Sequence, residues 1–270
     1  MITVLGASGF IGSHLANRLQ TLGLQYQAIG RTDALPAKNL GHVIYCIGLT
    51  ADFRSRLLDT VEAHVCNLLG LVRNCEFESL LYLSSTRLYA NDDSSSEEKA
   101  LHVEPRRPTD LFNISKAMGE SIVLNCCQNA RVARVSNVYG PDFTSENFVS
   151  SIIRDAISNR KVVFLTAPDS AKDYISVDDA VNGLIQIATS GRERTYNLAS
   201  GVNVSHAELA NRLQTLTGCE IEFAPGAETV RFPQINIDRM RKEFNFAPAS
   251  ILDDFGPLIR LYETNREALK

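Results

Sequence analysis

The chain has 270 residues, with 44% hydrophobic residues, 21% charged residues and a net charge of −4. This length is enough for a large α/β domain and a smaller lobe with a sizeable buried core. Because the basic residues are scattered, a nucleic-acid partner is not expected. No apolar run is long enough to span a bilayer, and MITVLGASGF lacks the basic start and cleavage site of a signal peptide. We therefore expect a cytoplasmic protein without a membrane partner.

The cysteines predict neither a disulfide framework nor a metal site. None of them forms a C-x-x-C pair, and most lie inside apolar segments. Buried free thiols are the state that we expect for all six: Cys46, Cys66, Cys75, Cys126, Cys127 and Cys219.

The first half of the chain alternates short apolar segments with helical patterns. Helices are predicted directly after the glycine-rich turn that begins at residue 6, and over 54–75 and 111–127. Strands are predicted over 2–5, 25–30, 42–48, 80–85 and 130–136. Such alternation predicts βαβ units and a doubly wound parallel sheet.

The second half is less regular and predicts a smaller C-terminal α/β substrate lobe. Ser205 stands at the capping-box offset from Glu208, which predicts a helix start. The end of the chain predicts a helix over 251–269. We place the boundary between a first domain over 1–165 and a partly interwoven substrate lobe over 166–270.

A glycine-rich turn follows the first predicted strand. Gly6, Gly9 and Gly12 form G-x-x-G-x-x-G, and the next helix begins inside the motif. Without a Cβ the backbone makes a tight turn and approaches a pyrophosphate, while the helix N-terminus offers N–H groups and positive charge. The turn predicts a dinucleotide site in a Rossmann sheet, which Ser8, Phe10 and Ile11 would also line.

The end of the second predicted strand bears on the choice of dinucleotide. Gly30 stands where an acidic residue would hold the adenosine ribose, and Asp33 is an alternative for that role. Arg31 would accommodate the 2′-phosphate of NADP, or it is an exposed loop cation. The sequence thus predicts NADP or NAD, with NADP slightly favoured.

Six motifs carry a resemblance to a known family. GASGFIG, LYLSSTRLYA, FNISK, RVSNVYGP, KDYISVDDAV and YNLASG occur in the order and spacing of the extended short-chain dehydrogenase/reductases. The sequence is similar to this NAD-dependent epimerase/dehydratase family from residue 2 to about residue 200. Most members of the family act on nucleotide sugars.

The resemblance implies roles for individual residues. Ser85 matches the residue that hydrogen-bonds the reacting substrate oxygen, a role that Thr86 would share or take over, and Lys116 matches the lysine that holds the nicotinamide ribose. Phe112 stands where the family has its proton-carrying tyrosine. Further matches are cofactor-lining Ile47, Gly48 and Asn67, and diphosphate-binding Asn137, Lys172 and Arg231.

The phenylalanine leaves three explanations open. Phe fills almost the volume of Tyr, so the fold is expected to survive, but a group worth on the order of 10²–10⁴ in rate is missing. The chain is an engineered Tyr→Phe enzyme, a natural enzyme in which Thr86, Tyr45 or a water supplies the proton, or a nucleotide-binding pseudoenzyme acting through a partner.

The predicted function is an NAD(P)-dependent epimerase or ketoreductase acting on a nucleoside-diphosphate sugar. Dehydration is disfavoured because Thr86 and Arg87 stand where the family's dehydratases have an acidic pair. The helices over 54–75 and 111–127 carry apolar positions beyond one stripe, and the resemblance implies that they form a four-helix bundle in a homodimer.

Overall fold

The computed structural model describes residues 1–265 apart from 32, 50, 51 and 91. Strands and helices alternate along this part of the chain, as the sequence predicts. The strands are β1 Ile2–Leu5, β2 Tyr26–Ile29, β3 His42–Tyr45, β4 Ser79–Ser85, β5 Ala130–Val135, β6 Asn137–Tyr139, β7 Lys161–Phe164, β8 Ala171–Ser176, β9 Thr195–Leu198, β10 Asn203–Ser205 and β11 Glu220–Phe223.

The α-helices begin with α1 directly after the glycine turn. They are α1 Phe10–Thr21, α2 Leu57–Val61, α3 Asn67–Asn74, α4 Asp110–Cys126, α5 Phe148–Ser158, α6 Val177–Ser190, α7 His206–Thr217, α8 Asp238–Phe244 and α9 Ile251–Thr264. The predicted capping box of Ser205 and Glu208 opens α7 and is confirmed. The last residues of the predicted helix 251–269 lie outside the described part of the chain.

The main sheet confirms the predicted doubly wound architecture. In the described part of the chain its six parallel strands have the order β2-β1-β3-β4-β5-β9. The chain leaves β1 to one side for β2 and then crosses to the other side for β3. In open parallel sheets ligands bind at the carboxyl ends of the strands beside such a switch point. The glycine turn after β1 and the segment after β3 both lie there.

A smaller lobe is built around two minor sheets, ordered β10-β8-β6 and β11-β7. An apolar cluster that includes Ile153, Phe164, Leu213 and Phe255 forms its core. The two lobes share the chain, because β6 and α5 join the small lobe, whereas α6 packs against α1 and β9 completes the main sheet. The sequential boundary between residues 165 and 166 stays a prediction.

The helix predicted over 54–75 is corrected in two ways. It begins at Leu57, and its middle, Glu62–Cys66, is a π-helical turn between α2 and α3. Two buried hydroxyls donate to carbonyls of this turn: Tyr45 to Ala63 over 2.7 Å and Tyr82 to His64 over 3.2 Å. The turn directs the His64 side chain into the protein, where it is fully buried.

The cysteines are free thiols, but the expectation that all are buried is wrong. Cys127 and Cys219 are buried, whereas Cys66 and Cys126 are exposed on helix surfaces. Among the described residues, no helix combines the length and apolar composition of a membrane span. The same residues contain no cluster of three or more His, Cys, Asp or Glu side chains suited to a metal ion.

Candidate functional site

The glycine turn after β1 is built so closely that side chains do not fit. Gly6 has a φ of +84°, and a Cβ there would lie 3.0 Å from the backbone of Cys46 and Ile47. A Cβ at Gly12 would overlap the carbonyl oxygen of Gly6. The turn closes through a 3.0 Å hydrogen bond from the Gly9 N–H to the Gly6 carbonyl. α1 therefore starts beside the switch point with its N–H groups at the carboxyl edge of the sheet.

The predicted adenosine end of the site lies after β2. The Gly30 N–H donates to Asp33 Oδ2 over 2.7 Å, and the Ser8 side chain lies 3.7 Å from where a Gly30 Cβ would be. Arg31 is exposed at the same edge. Ser8, Gly30 and Asp33 thus lie close together. Both candidates for the adenosine end, the acidic Asp33 and the basic Arg31, are therefore at this edge of the sheet.

The two matched catalytic residues Ser85 and Lys116 come from neighbouring elements. Ser85 ends β4, and its Oγ accepts a 3.2 Å hydrogen bond from the Arg87 N–H. Thr86 is buried and begins the 3-10 turn Thr86–Tyr89. Lys116 lies on α4 and donates from Nζ to the Leu83 carbonyl oxygen over 2.7 Å. The ammonium group therefore contacts the backbone of β4 two residues before Ser85.

Lys116 also faces the segment after β3. A Cβ at Gly48 would lie 3.4 Å from Lys116 Nζ and 3.3 Å from His64 Nε2, so both nitrogens converge on this glycine. Burial lowers the pKa of Lys116 to about 7, and the charges of Glu120 and Cys46 act in the opposite direction. A lysine with such a pKa loses its proton near neutral pH.

Phe112 lies on the buried face of α4 that also carries Lys116. Its ring packs against Phe53 with centroids 4.8 Å apart and edge-on against His64 at 5.1 Å. Among the alternative proton carriers, Tyr45 donates its hydroxyl to the Ala63 carbonyl, and burial raises its pKa. The Tyr45 proton is therefore held within the core.

His64 is a site residue that the sequence analysis missed. Ser115 Oγ donates to the Phe112 carbonyl over 2.9 Å, so the 2.9 Å contact between Ser115 Oγ and His64 Nδ1 places the proton on Nδ1. Nε2 is then a bare acceptor, and in the described structure it is buried without a hydrogen-bond partner. Burial, followed by the charge of Lys116, lowers the pKa of His64 to about 2 and keeps the ring neutral.

Arg54 and Arg87 were also missed as site residues. Their guanidinium carbons lie 4.8 Å and 5.2 Å from the centroid of the Phe53 ring. The sequence contained one signal for this, the arginine directly after Thr86, but its contact with Phe53 depends on the fold.

The predicted diphosphate-binding residues are spread over the small lobe. Lys172 lies on β8 with Nζ 5.9 Å from the Phe148 ring. Asn137, at the start of β6, donates from Nδ2 to the Asp173 carbonyl over 2.8 Å. Arg231 is largely exposed and forms a 2.7 Å ion pair with Asp169.

The remaining matched cofactor residues lie near the switch point. Ile47 is half-buried after β3, and Asn67 is exposed at the start of α3. The backbone of Ile47 lies beside Gly6 of the glycine turn, whereas Asn67 follows the π-helical turn, and its cofactor-lining role stays a prediction.

Comparison with known proteins gives a consistent result. The family described as "NAD dependent epimerase/dehydratase family" matches residues 38–199, more than half of the chain. A dTDP-glucose 4,6-dehydratase from Streptomyces griseus is 28% identical over 60% of this chain. The match spans about half (53%) of the length of that enzyme. A dTDP-4-dehydro-6-deoxy-D-allose reductase from a Streptomyces species is 23% identical over 98% of this chain and 97% of that enzyme.

The solved structure of MoeE5 in complex with UDP-glucose and NAD has the same fold. It aligns with a TM-score of 0.84 over 98% of this chain and 99% of that chain, at 21% identity.

Proposed function

We propose that the chain binds NAD or NADP and acts as an epimerase or ketoreductase on a nucleoside-diphosphate sugar. The proposal starts from the family, since the chain belongs to the NAD-dependent epimerase/dehydratase family. The observation that carries the proposal is the convergence of Lys116 on Gly48, beside a glycine turn that admits no side chain at Gly12. This arrangement supports a dinucleotide with its pyrophosphate at α1 and its nicotinamide ribose at Lys116.

The residues present suit such a cofactor. The turn offers N–H groups to a pyrophosphate, and Lys116 has ammonium donors beyond the one used on Leu83. When bound, the dinucleotide supplies hydride transfer to or from a sugar carbon. Ser85 uses its oxygen as acceptor from Arg87, which leaves its hydroxyl hydrogen for the substrate oxygen. Substrate phosphates would lie toward Lys172 and Asn137, with Arg231 as a further candidate.

Epimerase or reductase chemistry fits this chain better than dehydration. A dehydratase needs acidic and basic groups beside the sugar, and Thr86 and Arg87 supply no carboxylate there. The reductase relative, which matches over nearly its whole length, favours the ketoreductase alternative. Arg31 favours NADP, whereas Asp33, whose Oδ2 is fixed by the Gly30 N–H, favours NAD.

A catalytically silent nucleotide-binding protein is the second candidate, and Phe112 is the observation that favours it. The ring is buried against Phe53 and His64, and burial keeps His64 neutral, so neither ring that packs against Phe112 supplies the proton of the missing phenol. Such a protein would act through a partner.

A thermal-shift screen against NAD, NADP and a panel of nucleoside-diphosphate sugars tests the proposal, on the wild-type chain and on Phe112→Tyr. We expect stabilisation by a dinucleotide and by a nucleotide sugar. Turnover should rise by about 10²–10⁴ in Phe112→Tyr, because the restored phenol supplies general acid–base catalysis beside Lys116. Absence of any dinucleotide effect would contradict the cofactor assignment, and binding without turnover in Phe112→Tyr would favour the silent protein.

A homodimer is part of the proposal. α2 packs against α4, and both expose apolar side chains: Leu58 is 84% exposed and Met118 is 50% exposed. Exposed apolar surface on neighbouring helices is typical of a protein interface.

A further inference from the structure

Two arginines lie against one aromatic ring, Phe53, which itself contacts Phe112. Arg87 belongs to the turn after β4, and Arg54 precedes α2; both guanidinium groups lie within 5.2 Å of the Phe53 ring centroid. Arg54 is exposed, whereas Arg87 is half-buried, and its Nε is buried without a hydrogen-bond partner in the described structure. A buried guanidinium N–H without a hydrogen-bond partner is costly, and an anion that accepts from it would remove that cost.

Lys172 adds a third positive charge from the small lobe. Burial lowers the pKa of Lys172, and the charges of Arg87 and Arg54 lower it further. Burial also lowers the pKa of Arg87, with Arg54 contributing in the same direction. The three cations are therefore close enough to repel one another, although they come from different segments of the chain.

Among the described residues, the carboxylate that acts on Arg87 is Asp110, which forms no ion pair with it. Asp110 raises the pKa of Arg87, but its oxygens accept from the Glu104 N–H at 2.9 Å and from the Asn113 amide at 3.2 Å. Within the described ranges neither Arg87 nor Lys172 forms an ion pair with an acidic side chain. Among the described residues, Asp110 acts on Arg87 without pairing with it, so the group formed by Arg54, Arg87 and Lys172 carries more positive than negative charge.

The position of the arginines indicates which anion fits. Phe53 contacts Phe112, which stands where the family has its proton-carrying tyrosine. The Phe53 ring therefore lies between Arg54 or Arg87 and the candidate catalytic position. In a C4-type epimerase the reacting carbon is sugar carbon 4. The cofactor pyrophosphate is expected at α1, and the substrate diphosphate is attached to sugar carbon 1, across the ring from carbon 4. A carboxylate on carbon 5 is adjacent to carbon 4. A planar guanidinium binds such a carboxylate through two parallel hydrogen bonds.

We propose that Arg87 and Arg54 bind a carboxylate on the sugar, so that the substrate is a nucleoside-diphosphate uronic acid. This inference rests on the proposed function and adds the substrate class. Lys172 keeps its predicted role toward the diphosphate, and both guanidinium groups lie against Phe53.

Calorimetric titration of the full chain with UDP, UDP-glucose and UDP-glucuronic acid, in the presence of NADH, tests the assignment. UDP-glucuronic acid should bind about ten- to a hundredfold more tightly than UDP-glucose, since hydrogen bonds to a charged group are strong. Arg87→Met should abolish this difference and leave UDP and UDP-glucose binding within about twofold. Arg87→Lys should keep part of the difference, and Arg73→Met, on the exposed surface of α3, should keep all of it.

The outcomes separate the two proposals. Equal affinity of the wild-type chain for UDP-glucose and UDP-glucuronic acid would overturn the uronic acid assignment alone. Equal weakening of all three ligands by Arg87→Met would place the diphosphate at the arginines and overturn it as well. Failure of these uridine ligands, and of the dTDP- and CDP-sugars of the thermal-shift panel, to bind would defeat the nucleotide-sugar function itself. Because Arg87→Met removes a cation from a repulsive cluster, its melting temperature should not fall below that of the wild-type chain. This measurement checks that the variant is folded.

Discussion

Lys116 Nζ donates a 2.7 Å hydrogen bond to the Leu83 carbonyl oxygen and thereby joins α4 to β4 beside the candidate catalytic serine. The same ammonium group is buried and lies under Gly48, where the cofactor is expected. One side chain therefore combines a structural contact with a charge that burial destabilises. Its protonation links stability to pH.

Lys116→Met should change the pH dependence of stability. The folded pKa of Lys116 is lowered from 10.5 to about 7, so between these values the unfolded chain binds the proton and the folded chain does not. Stability of the wild-type chain therefore rises with pH in this interval, relative to Lys116→Met, by about 1.4 kcal/mol per pH unit. Urea unfolding of both proteins at pH 6.5, 8 and 9.5 measures this difference in unfolding free energy.

The lost hydrogen bond to Leu83 adds a constant offset that does not vary with pH. A difference in unfolding free energy that stays constant from pH 7 to 9.5 would show that Lys116 keeps its proton in the folded protein.

Gly12→Ala should disrupt the glycine turn. The new Cβ would overlap the Gly6 carbonyl oxygen, so the backbone must move, at a cost of about 1–3 kcal/mol. Gly70→Ala in α3 is the matched control, because a Cβ there meets nothing within 4 Å and should raise stability by about 0.5–1 kcal/mol. Urea unfolding measures stability, and NADH fluorescence titration should show weaker binding for Gly12→Ala only. Equal NADH affinity in Gly12→Ala and wild type would argue against a pyrophosphate at this turn.

Arg31→Ala and Asp33→Asn distinguish the two cofactors. If Arg31 contacts the 2′-phosphate, its removal should weaken NADPH a few-fold and leave NADH unchanged, since an exposed ion pair contributes about 0.2–1 kcal/mol. If Asp33 holds the ribose hydroxyls, Asp33→Asn should weaken NADH more than NADPH. Fluorescence titration of both variants with both cofactors gives the four dissociation constants. No change in any of them would exclude both residues from the adenosine end of the site.

The sequence allowed the main sheet and the glycine turn to be predicted because both follow from local patterns. Apolar segments between helical patterns predict parallel strands, and Gly6 and Gly12 mark positions where a Cβ does not fit. The π-helical turn that buries His64 depends instead on hydroxyls from two distant strands. The pairing of Arg54 with Arg87 likewise depends on the shared contact with Phe53, which no spacing in the sequence reveals.

The homodimer prediction is tested by charging its exposed apolar positions. Leu58→Asp combined with Met118→Asp places carboxylates on α2 and α4, and burying them in an interface would cost several kcal/mol because they would have no partner. We expect the wild-type chain to sediment as a dimer at micromolar concentration and the double variant as a monomer with a similar melting profile. Leu165→Asp is the control, since Leu165 is 79% exposed but lies outside both helices, and this variant should stay dimeric. A monomeric wild-type chain, or dissociation by Leu165→Asp to the same extent, would show that α2 and α4 do not form the interface.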